Sequence, residues 1–97
     1  MNVVRHVMFR GRVQGVGFRA FVEHHAARHR IEGWVRNRRD GTVEAVFSGP
    51  AEVVEAVLAA CREGPSHARV DTHDQRNATA EELALRGPDV FAVLPTV

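Results

Sequence analysis

The sequence predicts an α+β fold of the ferredoxin-like type, an α/β sandwich in which an antiparallel sheet carries two helices on one face. Three observations lead to this prediction. Segments with strand and helix patterns follow the order βαββαβ along the 97 residues. A short turn joins the two middle strands as a hairpin. Both helical segments carry an apolar stripe, as helices packed on a sheet do. We therefore expect residues 1–97 to form a single domain.

A glycine-rich loop separates the first predicted strand from the first predicted helix. Residues 3–10 place Val7 and Phe9 on one face, which is typical of a half-buried strand. From position 18, apolar residues and histidines recur with helical spacing and predict one continuous stripe of Phe18, Phe21, Val22, His25, Ala26 and His29. The loop at 11–17 should therefore lie between the end of a strand and the start of a helix.

The middle of the chain predicts a β-hairpin and a second helix. Residues 31–37 and 42–48 are rich in strand formers, and the turn between them at 38–41 ends in a glycine suited to positive φ. Gly49-Pro50 stops the second of these strands. A helical stripe follows and runs to Gly64-Pro65; it consists of Val54, Val57, Leu58 and Cys61.

The last third of the chain is less regular. Alternation over residues 68–72 predicts a fourth strand. Residues 73–88 have no clear pattern, except that Thr79 and Glu82 resemble a capping box at the start of a short helix. Phe91 and Val93 alternate and predict a last edge strand, which Pro95 closes.

Composition excludes several classes of function. The chain contains no lysine, which excludes a Walker-type phosphate site and Schiff-base chemistry. The net charge of +1 and the absence of a long apolar run give no reason to expect nucleic-acid or membrane partners. Cys61 is the single cysteine, and its place on an apolar stripe predicts a buried side chain. We expect a cytoplasmic monomer.

The loop before the first helix has the features of an anion site. It contains three glycines within seven positions, and Arg19 follows two residues after the last of them. A glycine-rich turn at a helix N-terminus presents free backbone N–H groups and partial positive charge. A cation in the first helical turn is unfavourable unless an anion accompanies it. We therefore predict that the loop and Arg19 bind a phosphate group.

Other interpretations of the charged and glycine-rich segments are weaker. Residues 15–20 match the dinucleotide fingerprint, but the chain is too short for a doubly wound domain, and the helix leads to a hairpin. His25 and His29 have the spacing of one helical face but lack a third metal ligand. The arginines at 36, 38 and 39 fit a solvated turn, or a rim that attracts anionic substrates, better than an RNA surface.

Asn37 is the second candidate site residue. It ends a predicted strand beside a turn, where asparagine often caps its own backbone. A neutral carboxamide can also donate to and accept from a water molecule, so Asn37 could position a nucleophile. The residues alone leave these two roles equally supported.

Two long motifs resemble the signatures of the acylphosphatase family. The first is Gly11-Arg12-Val13-Gln14-Gly15-Val16-Gly17-Phe18-Arg19, and the second is Gly33-Trp34-Val35-Arg36-Asn37 followed by Asp40-Gly41-Thr42-Val43-Glu44. The resemblance covers residues 5–72, including Gly49-Pro50 and Gly64-Pro65. It does not extend to the end, where this chain reads Phe91-Ala92-Val93-Leu94-Pro95-Thr96-Val97 and many relatives have an aromatic-x-Ile-Arg-Tyr strand.

The resemblance implies a ferredoxin-like enzyme that hydrolyses acyl phosphates to a carboxylate and inorganic phosphate without metal or cofactor. It implies a phosphate cradle in which the backbone N–H groups of the loop act together with Arg19, and a catalytic water oriented by Asn37. The cradle residues would be Gln14, Gly15, Val16, Gly17, Phe18 and Arg19. Two alternatives remain: an anion- or nucleic-acid-binding module of the same fold, and a carbamoyl-phosphate-handling domain like that of larger hydrogenase-maturation proteins.

Overall fold

Five strands form one sheet in the order β4-β1-β3-β2-β5 in the computed structural model, which describes residues 1–97. The elements are β1 (Asn2–Arg12), α1 (Phe18–Arg28), β2 (Glu32–Asn37), β3 (Val43–Pro50), α2 (Ala51–Glu63), β4 (Arg69–Asn77), α3 (Ala80–Ala84) and β5 (Phe91–Val93). The first four strands pair antiparallel as predicted. The fifth strand pairs parallel with β2, so the sheet is mixed. The prediction of a fully antiparallel sheet is therefore wrong for β5.

Helices α1 and α2 cover one face of the sheet, as the sequence predicts. Val7 and Phe9 of β1 point into this layer and are fully buried. The rings of Phe9 and Phe18 meet edge to face with centroids 5.2 Å apart, which joins the start of α1 to the sheet. The predicted α1 stripe extends too far, because the helix ends at Arg28 and His29 is exposed.

Helix α3 packs on the opposite face of the sheet. The predicted capping box is confirmed: Thr79 accepts from the Glu82 N–H, and the Glu82 carboxylate accepts from the Thr79 N–H. The Trp34 Nε1–H donates to the backbone oxygen of Glu82 at 2.7 Å. Leu83 packs against Trp34 and Val46, so this short helix covers an aromatic side chain that two helices alone would leave exposed.

The fourth strand runs five residues beyond the predicted end at residue 72 and reaches Asn77. It pairs with β1 through Arg5↔Asn77, with a register shift at Arg10 and Gly11. None of the helices is long and apolar enough to cross a membrane. The elements that matter most for the site are β1, α1 and the β2–β3 hairpin, because their ends meet at one edge of the sandwich.

Candidate active site

The loop between β1 and α1 adopts a backbone that requires glycine at two positions. Gly15 has φ +73° and Gly17 has φ +80°, both in the left-handed region that side chains disfavour. Glycine is required here by the backbone conformation and not by lack of space, since a Cβ at either position would meet no atom within 4 Å. Gly17 is also the N-cap of α1 and has no side chain that could cap the helix. No N-cap side chain therefore accepts a hydrogen bond from the first N–H groups of α1.

The backbone N–H groups of this loop are free. Among the hydrogen bonds of turns, loops and caps, none is donated by an N–H of residues 14–20, and the first donor in α1 is Phe21, bonded to the oxygen of Gly17 at 3.0 Å. No side chain accepts from these groups either. A run of unpaired N–H groups at the positive end of a helix is the arrangement that binds phosphate oxygens.

Arg19 adds a charged donor to these groups. It lies in the first turn of α1, is half-buried, and makes no hydrogen bond or ion pair within the chain. By contrast, every other half-buried arginine has such a partner: Arg5, Arg36, Arg38 and Arg86. The first turn of α1 contains no acidic residue. Arg19 therefore remains available for an anion from outside the chain.

Asn37 ends β2 two strands across the sheet from β1, since Val43 pairs with both Phe9 and Asn37. Its side-chain Oδ1 is buried and has no hydrogen-bond partner. A buried polar atom without a partner costs about 1–3 kcal/mol, and such atoms are typical of sites where a ligand or water completes the bonding. Of the two roles that the sequence left open, a backbone cap is not made, because Oδ1 accepts nothing from the chain.

Arg19, Asn37 and the loop glycines line one cleft of about 350 Å³. The remaining lining residues come from the start of the loop after β1, from α1 and from β5. The full set is Val13, Gly15, Gly17, Phe18, Arg19, Ala20, Glu23, Asn37 and Val93. The cleft thus unites the two motifs that are separate in sequence. Gln14 and Val16, which belong to the predicted cradle, are not among its lining side chains.

The Gln14 side chain has a structural role that the sequence did not indicate. Its Nε2 donates to the backbone oxygens of Arg38 at 2.7 Å and Thr42 at 2.8 Å. These carbonyls belong to the β2–β3 turn, so the loop is tied directly to the turn that follows Asn37. Glu23 and Val93 also line the cleft, although neither was expected there from the sequence. Glu23 lies one helical turn after Arg19, a spacing that could have identified it.

The basic residues on either side of Asn37 are mostly neutralised. Arg36 Nε and Arg38 donate to Glu44 Oε1 at 2.8 and 2.9 Å, and His6 Nε2 lies 2.6 Å from Glu44 Oε2. Burial alone would raise the pKa of the Glu44 carboxyl, but the hydrogen bonds from His6, Arg36 and Arg38 outweigh it and hold the pKa below its ordinary value. These two arginines therefore pair with a carboxylate of β3 and do not form a free positive rim that would attract anionic substrates.

No group of three or more His, Cys, Asp or Glu side chains is arranged to hold a metal ion. Cys61 is buried on α2 as predicted, and burial raises the pKa of its thiol to about 12. Neither the histidines of α1 nor this cysteine is among the residues that line the cleft.

Comparison with known proteins identifies the family. A family model described as Acylphosphatase matches residues 5–87. An acylphosphatase of Rhodopseudomonas palustris (strain BisB18) is 55% identical, over 99% of this chain and 98% of the relative. The crystal structure of acylphosphatase from Bacillus subtilis is 32% identical, with a TM-score of 0.83, over 97% of this chain and 99% of that one.

The same fold occurs as part of a much larger protein. Full-length HypF, crystallised in a phosphate- and nucleotide-bound form, matches 99% of this chain with a TM-score of 0.83 and 25% identity, but the match covers only 12% of HypF. The relative from Rhodopseudomonas, by contrast, is matched over 98% of its own length, and the family model covers residues 5–87 of this chain. The chain belongs to the acylphosphatase family.

Proposed function

We propose that this protein is an acylphosphatase that hydrolyses the carboxyl–phosphate bond of small acyl phosphates to a carboxylate and inorganic phosphate. The observation that carries the proposal is the meeting of free N–H groups, an unpaired Arg19 and the unpartnered Oδ1 of Asn37 around one cleft. The names of the full-length relatives support the same activity.

The loop and Arg19 bind the phosphoryl group in this proposal. The backbone N–H groups of residues 14–19 surround its oxygens, and the guanidinium of Arg19 supplies a planar pair of donors. Gly15 and Gly17 permit the left-handed backbone of this loop, and the Gln14 side chain ties the loop to the β2–β3 turn, so the donors need little reorganisation when the substrate binds. Preorganised donors stabilise the charge that accumulates on the equatorial oxygens in the transition state.

Asn37 orients the attacking water through its free Oδ1. The water oxygen forms a bond to phosphorus while the bond from phosphorus to the acyl oxygen breaks, and the electron pair leaves on the carboxylate. A carboxylate is a weak base and leaves without protonation. The water proton passes to a phosphate oxygen of the substrate, so no side chain is required as a general base.

The proposal includes a metal-independent reaction without a cofactor, because Arg19 and the helix N-terminus supply the positive charge that a metal ion would otherwise provide. It also includes a monomer that acts in the cytoplasm and binds no nucleic acid. All residues assigned to the site belong to one chain, and the single cysteine is buried and unpaired.

The test is hydrolysis of acetyl and benzoyl phosphate by the wild type and by Arg19→Ala, Asn37→Ala and Arg28→Ala. Arg28 is an exposed arginine on the same helix, without a charged partner, and serves as the matched control. We expect Arg19→Ala to lose phosphate affinity and about 10³-fold in kcat/KM. Asn37→Ala should lose about 10²-fold or more in kcat while binding inorganic phosphate normally in calorimetry.

Each part of the mechanism can fail separately. Full activity of Asn37→Ala would remove the water-positioning role. Equal losses of kcat/KM in Arg19→Ala and Arg28→Ala would mean that the overall positive charge of the protein, rather than a specific contact of Arg19, promotes hydrolysis. Loss of wild-type activity on addition of EDTA would exclude the metal-independent reaction. A wild type that binds phosphate tightly without hydrolysing either substrate would favour the binding-only module.

A further inference from the structure

We propose that the groove between α1 and β5 receives the acyl group of the substrate and favours acyl groups that are apolar and uncharged. The inference rests on the proposed function, because the phosphoryl end must first be held at the loop. It adds a second binding site, for the part of the substrate that leaves as the carboxylate.

The groove continues the phosphate cleft along α1. A second cleft of about 730 Å³ is lined by Glu23, Ala27, Arg30, Asp89, Val90 and Phe91. Glu23 lines both clefts, so the two are adjacent at this residue. Arg19, Glu23 and Ala27 are spaced four residues apart and lie on one helical face, about 12 Å from first to last at 1.5 Å per residue. A molecule bound at Arg19 can therefore extend along this face.

The wall opposite α1 is apolar. Phe91 is half-buried, and its ring stacks on that of Phe47 with centroids 6.0 Å apart, so it is held by the core. Val93 and Val90 are 43% and 61% exposed, and they are among the few large apolar side chains that this protein exposes. Together with Ala20 and Ala27 on the helix, they give the groove apolar surfaces on both sides. Apolar groups on a substrate would lose contact with water here.

The charges along the groove select against anionic acyl groups. Arg19 lies at the phosphate end, Glu23 lies at the junction, and Arg30 and Asp89 lie at the far end. Glu23 is exposed and forms no ion pair. A carboxylate on the acyl group would have to pass Glu23, and the two negative charges would repel one another. Arg30 and Asp89 carry opposite charges, so the far end has no net charge.

A chain-length series of acyl phosphates tests the groove. We expect kcat/KM to rise roughly tenfold from acetyl to hexanoyl phosphate, because a fully buried methylene contributes about fourfold in binding and an open groove less. The gain should lie in KM, since these contacts form equally in the ground and transition states. Ala27→Gln fills the groove with a polar side chain of good helix propensity, and Ala59→Gln makes the same change at an exposed position of α2.

The hexanoyl-to-acetyl ratio of kcat/KM should fall about fivefold in Ala27→Gln and remain at the wild-type value in Ala59→Gln. If wild-type enzyme hydrolyses acetyl phosphate but the ratio is the same in both variants, the groove inference is wrong and the proposed function stands. If no acyl phosphate is hydrolysed, the proposed function fails and the groove inference fails with it.

A second comparison uses substrates of equal length. Butyryl and succinyl phosphate differ by a terminal carboxylate, so their ratio isolates the effect of charge from that of chain length. Glu23→Gln should raise the succinyl-to-butyryl ratio of kcat/KM about fivefold, since one like-charge contact in water is worth about this factor. An unchanged ratio would place the acyl group elsewhere than past Glu23.

Discussion

The left-handed conformation of Gly15 provides a sharp test of the phosphate cradle, because the chain contains a matched control. Gly15 has φ +73° and Gly87, which follows α3, has φ +66°. A Cβ added at either position would meet no atom within 4 Å. Gly15→Ala and Gly87→Ala therefore introduce the same backbone strain without a steric clash, but only Gly15 lies in the cleft.

The expected loss of stability is similar in both variants. An alanine in the left-handed region costs about 1–2 kcal/mol. Reduced entropy of the unfolded chain offsets about 0.4–1 kcal/mol of this cost. A net loss near 1 kcal/mol lowers the Tm of a domain of this size by about 4–8 °C. Thermal unfolding followed by circular dichroism measures this loss for each variant.

The effect on activity should differ between the two variants. In Gly15→Ala, relaxation of the substituted residue toward negative φ turns neighbouring N–H groups away from the cleft, and loss of one such donor costs about 10²–10³-fold in kcat. Gly87→Ala should hydrolyse acetyl phosphate at the wild-type rate when assayed well below its Tm. If Gly15→Ala also retained wild-type kcat and phosphate affinity, the loop conformation could not be what binds the substrate, and the cradle would be refuted.

Two further predictions concern buried ionisable groups. Glu44→Gln should lose about 3 kcal/mol of unfolding free energy near pH 7, because Arg36 and Arg38 are left without a carboxylate. Since the folded pKa of Glu44 is lowered, its contribution is complete above the unfolded pKa of about 4.5 and is lost as the pH falls through the folded value. Urea unfolding at several pH values should show the difference between variant and wild type narrowing below pH 4.5. Cys61, with its pKa raised to about 12, should react with a thiol reagent at pH 8 only as fast as the protein unfolds, and rapid labelling of native protein would contradict this.

The parts of the fold that bury an apolar face were predictable from sequence. Val7 and Phe9 alternate, and the stripe on α2 repeats with helical spacing, so local pattern and burial agree. The length of β4 could not be predicted from the sequence. Beyond Val70 its side chains are polar and almost all exposed, so the sequence shows no apolar–polar alternation there, although the strand pairs with β1 throughout. The parallel pairing of β5 depends on contacts with β2 across the sheet, such as Trp34↔Ala92, which no local pattern encodes.

The candidate site was predictable to the extent that it is local. The proposed cradle is one contiguous segment, so glycine spacing and the position of Arg19 were enough to suggest an anion site from the sequence alone. For Asn37 the local sequence supports a backbone cap and a water-positioning role equally. The unpartnered Oδ1 in the structure favours the water-positioning role. The side-chain bonds of Gln14 span 24 and 28 residues of sequence, and the contribution of Val93 requires β5 to pair beside β2. Such contacts exist only once the chain has folded.

These distant contacts explain how an asparagine at the end of a strand can be held in position while its side-chain oxygen stays free. Gln14 holds the turn after Asn37 from the loop side, through the oxygens of Arg38 and Thr42. Val97 holds it from the other side, donating to the Asn37 oxygen at 3.3 Å and accepting from the Arg39 N–H at 2.8 Å. The backbone around Asn37 is therefore satisfied from both sides, whereas Oδ1 accepts from none of these groups. Because Gln14 belongs to the loop itself, its two hydrogen bonds tie the loop to the turn. In the proposed mechanism this tie keeps the phosphate donors and the water-positioning oxygen at a fixed distance from one another, as preorganised electrostatic catalysis requires.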